Sequence, residues 1–173
     1  MEFNDLKSFI KDVPDFPKPG IVFKDLAPLL AVPEAVKAAT ALLVKPLDRK
    51  EVDVVVGIES RGFLFGMLMA QRLEARFVMM RKPGKLPGSL AYEEYQLEYG
   101  TDQLEMQLDA IKPGDRVIIH DDVLATGGTA AAAARLVDKC GGQVTTMSFL
   151  VELESLNGRA ALGDVGCQSV IKF

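Results

Sequence analysis

The stretch Val117-Ile118-Ile119-His120-Asp121-Asp122-Val123-Leu124-Ala125-Thr126-Gly127-Gly128-Thr129 constrains this chain more than any other. An apolar run ends in two adjacent carboxylates. A short loop follows, with two glycines flanked by threonines, and then an Ala-rich helical run from Ala130 to Val137. The apolar run reads as a buried parallel strand, Arg116 to His120. Glycines let the backbone approach an anion closely. The threonine hydroxyls add donors, and the helix start adds free N–H groups and the positive end of its dipole. Carboxylates cannot bind that anion, so Asp121 and Asp122 must serve something beside it, such as hydroxyls or a metal ion. The plain alternative is a strand–turn–helix junction with an acidic N-cap. The dinucleotide fingerprint G-x-G-x-x-G and the P-loop pattern G-x-x-x-x-G-K-[ST] do not occur at this junction.

On both sides of the junction, strand and helix signals alternate. Ala35 to Leu47 reads as an amphipathic helix, with Pro33 as its start signal. Val52 to Gly57 is a β-branched run, Gly62 to Leu73 a helix despite Gly66, and Arg76 to Met80 a second strand. Residues 81–100 carry Pro83, Gly84, Pro87, Gly88 and Gly100 and read as one long flexible loop, the usual place for a lid. Leu104, Met106 and Leu108 alternate with polar residues, as a short strand bordering that loop would. A helix from about Gly128 to Cys140 stops at Gly141-Gly142, and Gln143 to Val151 is the next strand. Asn157-Gly158 is a turn, and Ser169 to Phe173 an edge strand. The order predicts an α/β fold: a mostly parallel sheet with helices on both faces, in one domain spanning residues 1–173. Ligands of such sheets bind beyond the carboxyl ends of the strands, where the turns after Gly57 and His120 both lie.

Bulk properties exclude several functions. The net charge is −4, against a nucleic-acid partner. No apolar run approaches the ~18 residues of a membrane span, and the N-terminus shows no signal-peptide pattern. Cys140 and Cys167, the only cysteines, read as reduced thiols of a cytoplasmic protein. A single histidine, His120, leaves no Cys/His cluster for structural zinc.

The order of hydrophobics, acid pair and Ala-Thr-Gly-Gly-Thr resembles the 5-phosphoribosyl-1-pyrophosphate (PRPP) motif of type I phosphoribosyltransferases. That resemblance implies that Asp121 and Asp122 hold the ribose hydroxyls, and that Ala125, Thr126, Gly127, Gly128 and Thr129 hold the 5-phosphate. The turn Gly57-Ile58-Glu59-Ser60-Arg61-Gly62-Phe63 read alone is a helix start capped by Ser60 with Arg61 solvated. Its G-x-E-S-R-G-F pattern resembles the adenine-specific branch, where Glu59, Ser60 and Arg61 would meet pyrophosphate. Arg81-Lys82-Pro83-Gly84-Lys85-Leu86-Pro87-Gly88 read alone is a solvated basic loop. The branch pattern R-K-x-G-K-L-P-G makes Arg81, Lys82 and Lys85 pyrophosphate contacts. Among Glu93, Glu94 and Glu98, composition selects none. The L-E-Y-G resemblance selects Glu98 as acid/base at the purine and Tyr99 as a shield. Phe16 to Asp25 resembles the family's hood, within an N-terminal arm of residues 1–34. It implies that Phe23 stacks on adenine and that main chain at Val22 and Lys24 reads the base edge; a hydrophobic staple is the other reading.

The resemblance covers Phe16 through Arg159. It implies transfer from PRPP to adenine, giving AMP and pyrophosphate. It also implies Mg²⁺ held by substrate oxygens and water rather than by the protein, and a homodimer. Gly62 to Leu73 would be its interface, or simply core. The alternatives are a transferase for guanine, hypoxanthine or xanthine, and a regulator that senses PRPP or nucleotides. His120 departs from the family's usual aliphatic residue and reads as a packed core histidine or as a group tuning the carboxylates.

Overall fold

The computed structural model describes residues 6–96 and 100–173. They fall into two compact units, Met1–Leu42 and Leu43–Phe173. In the first, strands β1 (Lys11–Pro14) and β2 (Val22–Asp25) pair antiparallel, with Lys11 opposite Asp25 and Pro14 opposite Val22. The Asp15 carboxylate accepts from the Gly20 N–H at 2.7 Å, and Gly20 takes φ +86°. The Pro/Gly bend of the sequence is therefore the tip of a hairpin. A short helix α1 (Ala27–Leu30) follows. Helix α2 (Pro33–Val44) opens on Pro33 with Glu34 in its first turn, two residues before the start expected from periodicity.

The second unit holds β3 (Val54–Ile58), α3 (Gly62–Leu73), β4 (Arg76–Met80), β5 (Leu90–Gln96), β6 (Thr101–Gln107), β7 (Arg116–Leu124), α4 (Gly128–Lys139), β8 (Gln143–Glu152) and β9 (Gly166–Lys172). Five of these strands form one sheet in the order β4-β3-β7-β8-β9, every neighbour parallel. Side chains alternate across it. Val54, Val56, Ile58, Val117 and Ile119 pack with Ala132, Ala133, Leu136 and Val137 of α4. Residues of opposite parity face α3, where the buried His120 ring approaches Gly66. The α/β class read from the alternating pattern is the class observed. Among the described residues, no helix is long and apolar enough to cross a membrane.

Two expectations need correction. Residues 81–100 are not all loop, because Leu90–Gln96 is a strand paired in register with β6 from Leu90↔Gln107 to Gln96↔Thr101. Its alternation is masked because one inward position is polar. Glu93 is buried beside Tyr95, compensated by cations from α4. The strand before the acid pair also does not stop at His120. It continues through Asp121 and Asp122 and pairs Val123 with Val151 and Leu124 with Glu152. Val123 and Leu124 are apolar and β8 supplies their partners, so the carboxylates are strand residues rather than loop residues.

His120 is fully buried, and neither ring nitrogen has a hydrogen-bond partner. Burial lowers its pKa to about 4. The ring is neutral at neutral pH. An unfolded histidine titrates near 6.5. Between that value and about 4 the unfolded chain takes the proton and the folded chain does not. Stability is thus present above pH 6.5 and lost as pH falls toward 4, by roughly 3 kcal/mol over the window. His120→Val should remove this component of acid sensitivity. Urea unfolding of both proteins at several pH values across the window is the check, and identical pH slopes would refute it.

Candidate active site

The acid pair sits where α3 begins. A Cβ placed on Gly62 would lie 2.7 Å from the His120 carbonyl oxygen and 3.1 Å from Asp121 Oδ1. Only glycine lets the helix start lean on the strand this closely. That contact carries Arg61, the residue before Gly62, to Asp122: Nε and Oδ2 are 2.9 Å apart, and the Asp122 side chain is almost fully buried. The Glu59–Ser60 peptide bond in this turn is cis. Burial and the neighbouring Asp122 charge push the Asp121 carboxyl well above the usual carboxylate range, against the pull of Arg61. Burial also raises Asp122, with Arg61 opposing it. One guanidinium thus serves two adjacent acids.

On the other side, β7 runs into Ala125–Gly127 and α4. Gly127 takes φ +83° as N-cap, no side chain caps the helix, and no acid lies in its first turn. A 12-residue helix therefore presents uncapped N–H groups and the positive end of its dipole, the ordinary chemistry of an anion site. Asp121, Val123, Leu124, the loop Ala125–Thr129, Ala130 and Phe149 line a small cavity of about 80 Å³ here. The two loop glycines differ. A Cβ on Gly127 would overlap the Gly158 carbonyl oxygen, whereas one on Gly128 would stand in open space.

The basic loop is neutralised from within. Glu59 accepts from Arg81 Nη2 at 3.1 Å, the Lys82 N–H at 2.9 Å and Lys85 Nζ at 2.7 Å. Burial would raise its pKa, but these bonds outweigh burial and hold it at about 2. Lys82 Nζ donates to Tyr95 Oη at 2.7 Å and pairs with Asp102. Glu59 is a carboxylate and cannot itself hold pyrophosphate; its place in the structure is to gather the cations. Tyr95 and Asp102 went unnoticed in the sequence. Their one signal was β alternation, inside the segment read as a loop for Tyr95 and in the strand bordering it for Asp102. Thr129 Oγ1 lies 3.4 Å from Tyr95 Oη, which ties the glycine-loop region to this cluster.

Of the three candidate acids, Glu93 is removed. It is buried, paired with Arg135 at 2.6 Å and with Lys139, and these bonds hold its pKa below the ordinary value. Glu94 is exposed on β5. Glu98 and Tyr99 lie outside the described residues. In the N-terminal unit, Val22 is exposed and Phe23 half-buried, its ring edge-on to Phe16 at 5.2 Å. The Lys24 ammonium is 2.6 Å from Asp12 across the hairpin.

A parallel sheet with an acid pair and an uncapped helix start at one strand end defines a nucleotide- or phosphosugar-handling α/β protein. The phosphoribosyl transferase domain model matches residues 26–168. The chain belongs to that family. A protein of Christiangramia forsetii named adenine phosphoribosyltransferase is 52% identical, over 98% of this chain and 99% of that one. The crystal structure of adenine phosphoribosyltransferase from Rhodothermus marinus superposes with a TM-score of 0.95 at 52% identity, covering 99% of this chain and 98% of that one. The enzyme of Saccharomyces cerevisiae, solved with an imino-altritol bisphosphate and adenine, superposes with a TM-score of 0.92 at 38% identity, covering 97% of each chain.

If Glu59 gathers the basic loop, Glu59→Gln should loosen it. Trypsin should then cut after Lys85 several-fold faster than in the parent protein, read by mass spectrometry of timed digests. An unchanged cleavage rate would show that the loop is held by something else.

Proposed function

We propose that this chain transfers the 5-phosphoribosyl group of PRPP to adenine, giving AMP and pyrophosphate, as a purine-salvage enzyme of the cytoplasm. The observation that carries the reading is the uncapped α4 start and its cavity beside the acid pair, in a chain half identical to adenine phosphoribosyltransferases over nearly its whole length. Its two free cysteines fit a reducing compartment.

The loop Ala125–Thr129 takes the 5-phosphate. Asp121 and Asp122 accept hydrogen bonds from the ribose hydroxyls. They also oppose the positive charge that grows on the ring as the C1–pyrophosphate bond breaks. Ser60, Arg61, Arg81, Lys82 and Lys85 receive the leaving pyrophosphate, the last three exchanging Glu59 and Asp102 for the new anion. The purine nitrogen bonds to C1 and gives its proton to Glu98. Phe23 stacks on adenine, the main chain at Val22 and Lys24 reads its edge, and Tyr99 shields the site from water. Among the described residues no three acidic, His or Cys side chains converge on a metal position, and Arg61 already occupies Asp122. Such a donor set fits Mg²⁺ carried by phosphate and ribose oxygens and by water. When bound there, it would neutralise charge on pyrophosphate.

The test is a nucleotide-forming assay with PRPP and Mg²⁺ against adenine, guanine, hypoxanthine and xanthine. Adenine should be used at least 10²-fold more efficiently than the others; preference for another base would overturn the assignment. In the same assay Gly128→Val should raise KM for PRPP at unchanged thermal stability, because only a ligand contests that space. Glu98→Gln should lower kcat by ~10²-fold; near-normal turnover would point to Glu94.

We also propose a homodimer formed through α3. Leu64 and Met67 are 45% and 55% exposed and lie three residues apart, on one helix face, while Phe65 and Met69 fill the core. Met67→Glu should convert the dimer to monomer in sedimentation velocity. A parent protein that already sediments as a monomer would refute this.

A further inference from the structure

The segment Leu156-Asn157-Gly158-Arg159 belongs to the family resemblance, yet no step of the reaction uses it. Its position gives it a use. The loop Ala125–Gly127 has little to hold its own shape. Thr126 is exposed, Gly127 is in the left-handed region, and no side chain caps α4. What bounds it is the 3₁₀ turn Gly158–Leu162.

The contact is backbone on backbone and reciprocal. A Cβ on Gly158 would overlap the Ala125 carbonyl oxygen and lie 2.9 Å from Leu124 Cδ1. A Cβ on Gly127 would overlap the Gly158 carbonyl oxygen and lie 3.0 Å from Ala161 Cβ. Each glycine is therefore shaped by the other, 31 residues apart in sequence (158 minus 127).

The turn is in turn bolted to the sheet by Arg159. Its Nε donates to Glu152 Oε1 at 2.6 Å and its Nη2 to Oε2 at 2.7 Å, a bidentate pair on a buried carboxylate. Nη2 also donates to Ser169 Oγ at 3.1 Å, and Nη1 to the Cys167 carbonyl at 2.9 Å. Glu152 stands opposite Leu124, the last residue of β7, and opposite Lys172 of β9. The Leu153 N–H closes the loop by donating to the Leu124 carbonyl at 3.0 Å. One guanidinium thus fixes the turn to the end of β8 and to the body of β9, and the turn fixes the loop.

We infer that Gly158 and Arg159 are positioning residues for PRPP: a hook that sets the shape of the 5-phosphate loop from behind, acting through Ala125–Gly127 rather than on the reactants. The inference rests on the reading that this loop takes the 5-phosphate. Loss of the hook misplaces N–H donors by fractions of an ångström to about one, and displacements of that size cost up to ~10²-fold in a preorganised site.

Calorimetric titration with ribose 5-phosphate and, separately, pyrophosphate tests it on the parent protein, Arg159→Lys and Gly158→Ala. Lysine keeps the charge but loses the fork. Arg159→Lys should weaken ribose 5-phosphate by roughly tenfold while pyrophosphate stays within about twofold, and KM for PRPP should rise without a matching rise in KM for adenine. Gly158→Ala should do the same more strongly. If it fails to fold, Arg159→Lys, whose side chain is partly exposed, decides alone. Equal losses for both ligands would mean a general structural role and would overturn the inference, as would unchanged binding in a folded variant. Failure of the underlying reading looks different: the parent protein itself would bind pyrophosphate but not ribose 5-phosphate.

Discussion

Backbone contact at the carboxyl end of β7 is the constraint on which the rest of this structure depends. At Gly62 the start of α3 meets the His120 carbonyl, and at Gly127 and Gly158 two loops meet with no side chain between them. A single Cβ at any of these places would force the elements apart. Because the contacts are close, the N-termini of α3 and α4 flank one strand end, and their dipoles share it with Asp121 and Asp122. The positive ends of two helices beside two carboxylates make a place that suits a phosphate and a sugar together.

The second organising principle is that four little-exposed carboxylates are each given a cation, whereas the buried Glu105 accepts from the Gly84 N–H and the Gln103 amide. Asp122 has Arg61, Glu59 has Arg81 and Lys85, Glu93 has Arg135 and Lys139, and Glu152 has Arg159. Removing one partner of a buried pair strands the other, at a typical 3–5 kcal/mol. These cations are partly exposed, so solvent screening brings the figure down here. The six pairs divide by place. Those of Glu93 and Glu152 brace the scaffold behind the site. That of Asp122 joins β7 to the residue before α3, and those of Glu59 hold the basic loop, so an anion binding to that loop must compete with Glu59.

Most of the sheet was legible because a buried parallel strand leaves an unambiguous trace. Val54 to Val56 and Val117 to Ile119 are apolar at every position, as burial on both faces requires. Helix α3 was legible despite Gly66, since the glycine is where the His120 ring packs and a Cβ would crowd Phe77. β5 was hidden for the opposite reason. Its inward Glu93 looks like a solvent residue until Arg135 and Lys139 arrive from a helix about forty positions away. The extent of β7 was also hidden, because two acids resemble a strand end when the partner strand is not in view.

The sequence by itself determined the parallel α/β class, the glycine loop with its acid pair, and the family. Each rests on residues adjacent in the chain, where spacing and side-chain chemistry are enough. Only the tertiary structure decided which charges are already spoken for. It turned Glu59 from a ligand contact into the anchor of Arg81 and Lys85, took Glu93 out of the acid–base choice, and placed Arg159 behind the loop at Gly127. Pairing energies and van der Waals contacts depend on distance in space. Residues 22 to 46 positions apart in these pairs meet only once the sheet has closed.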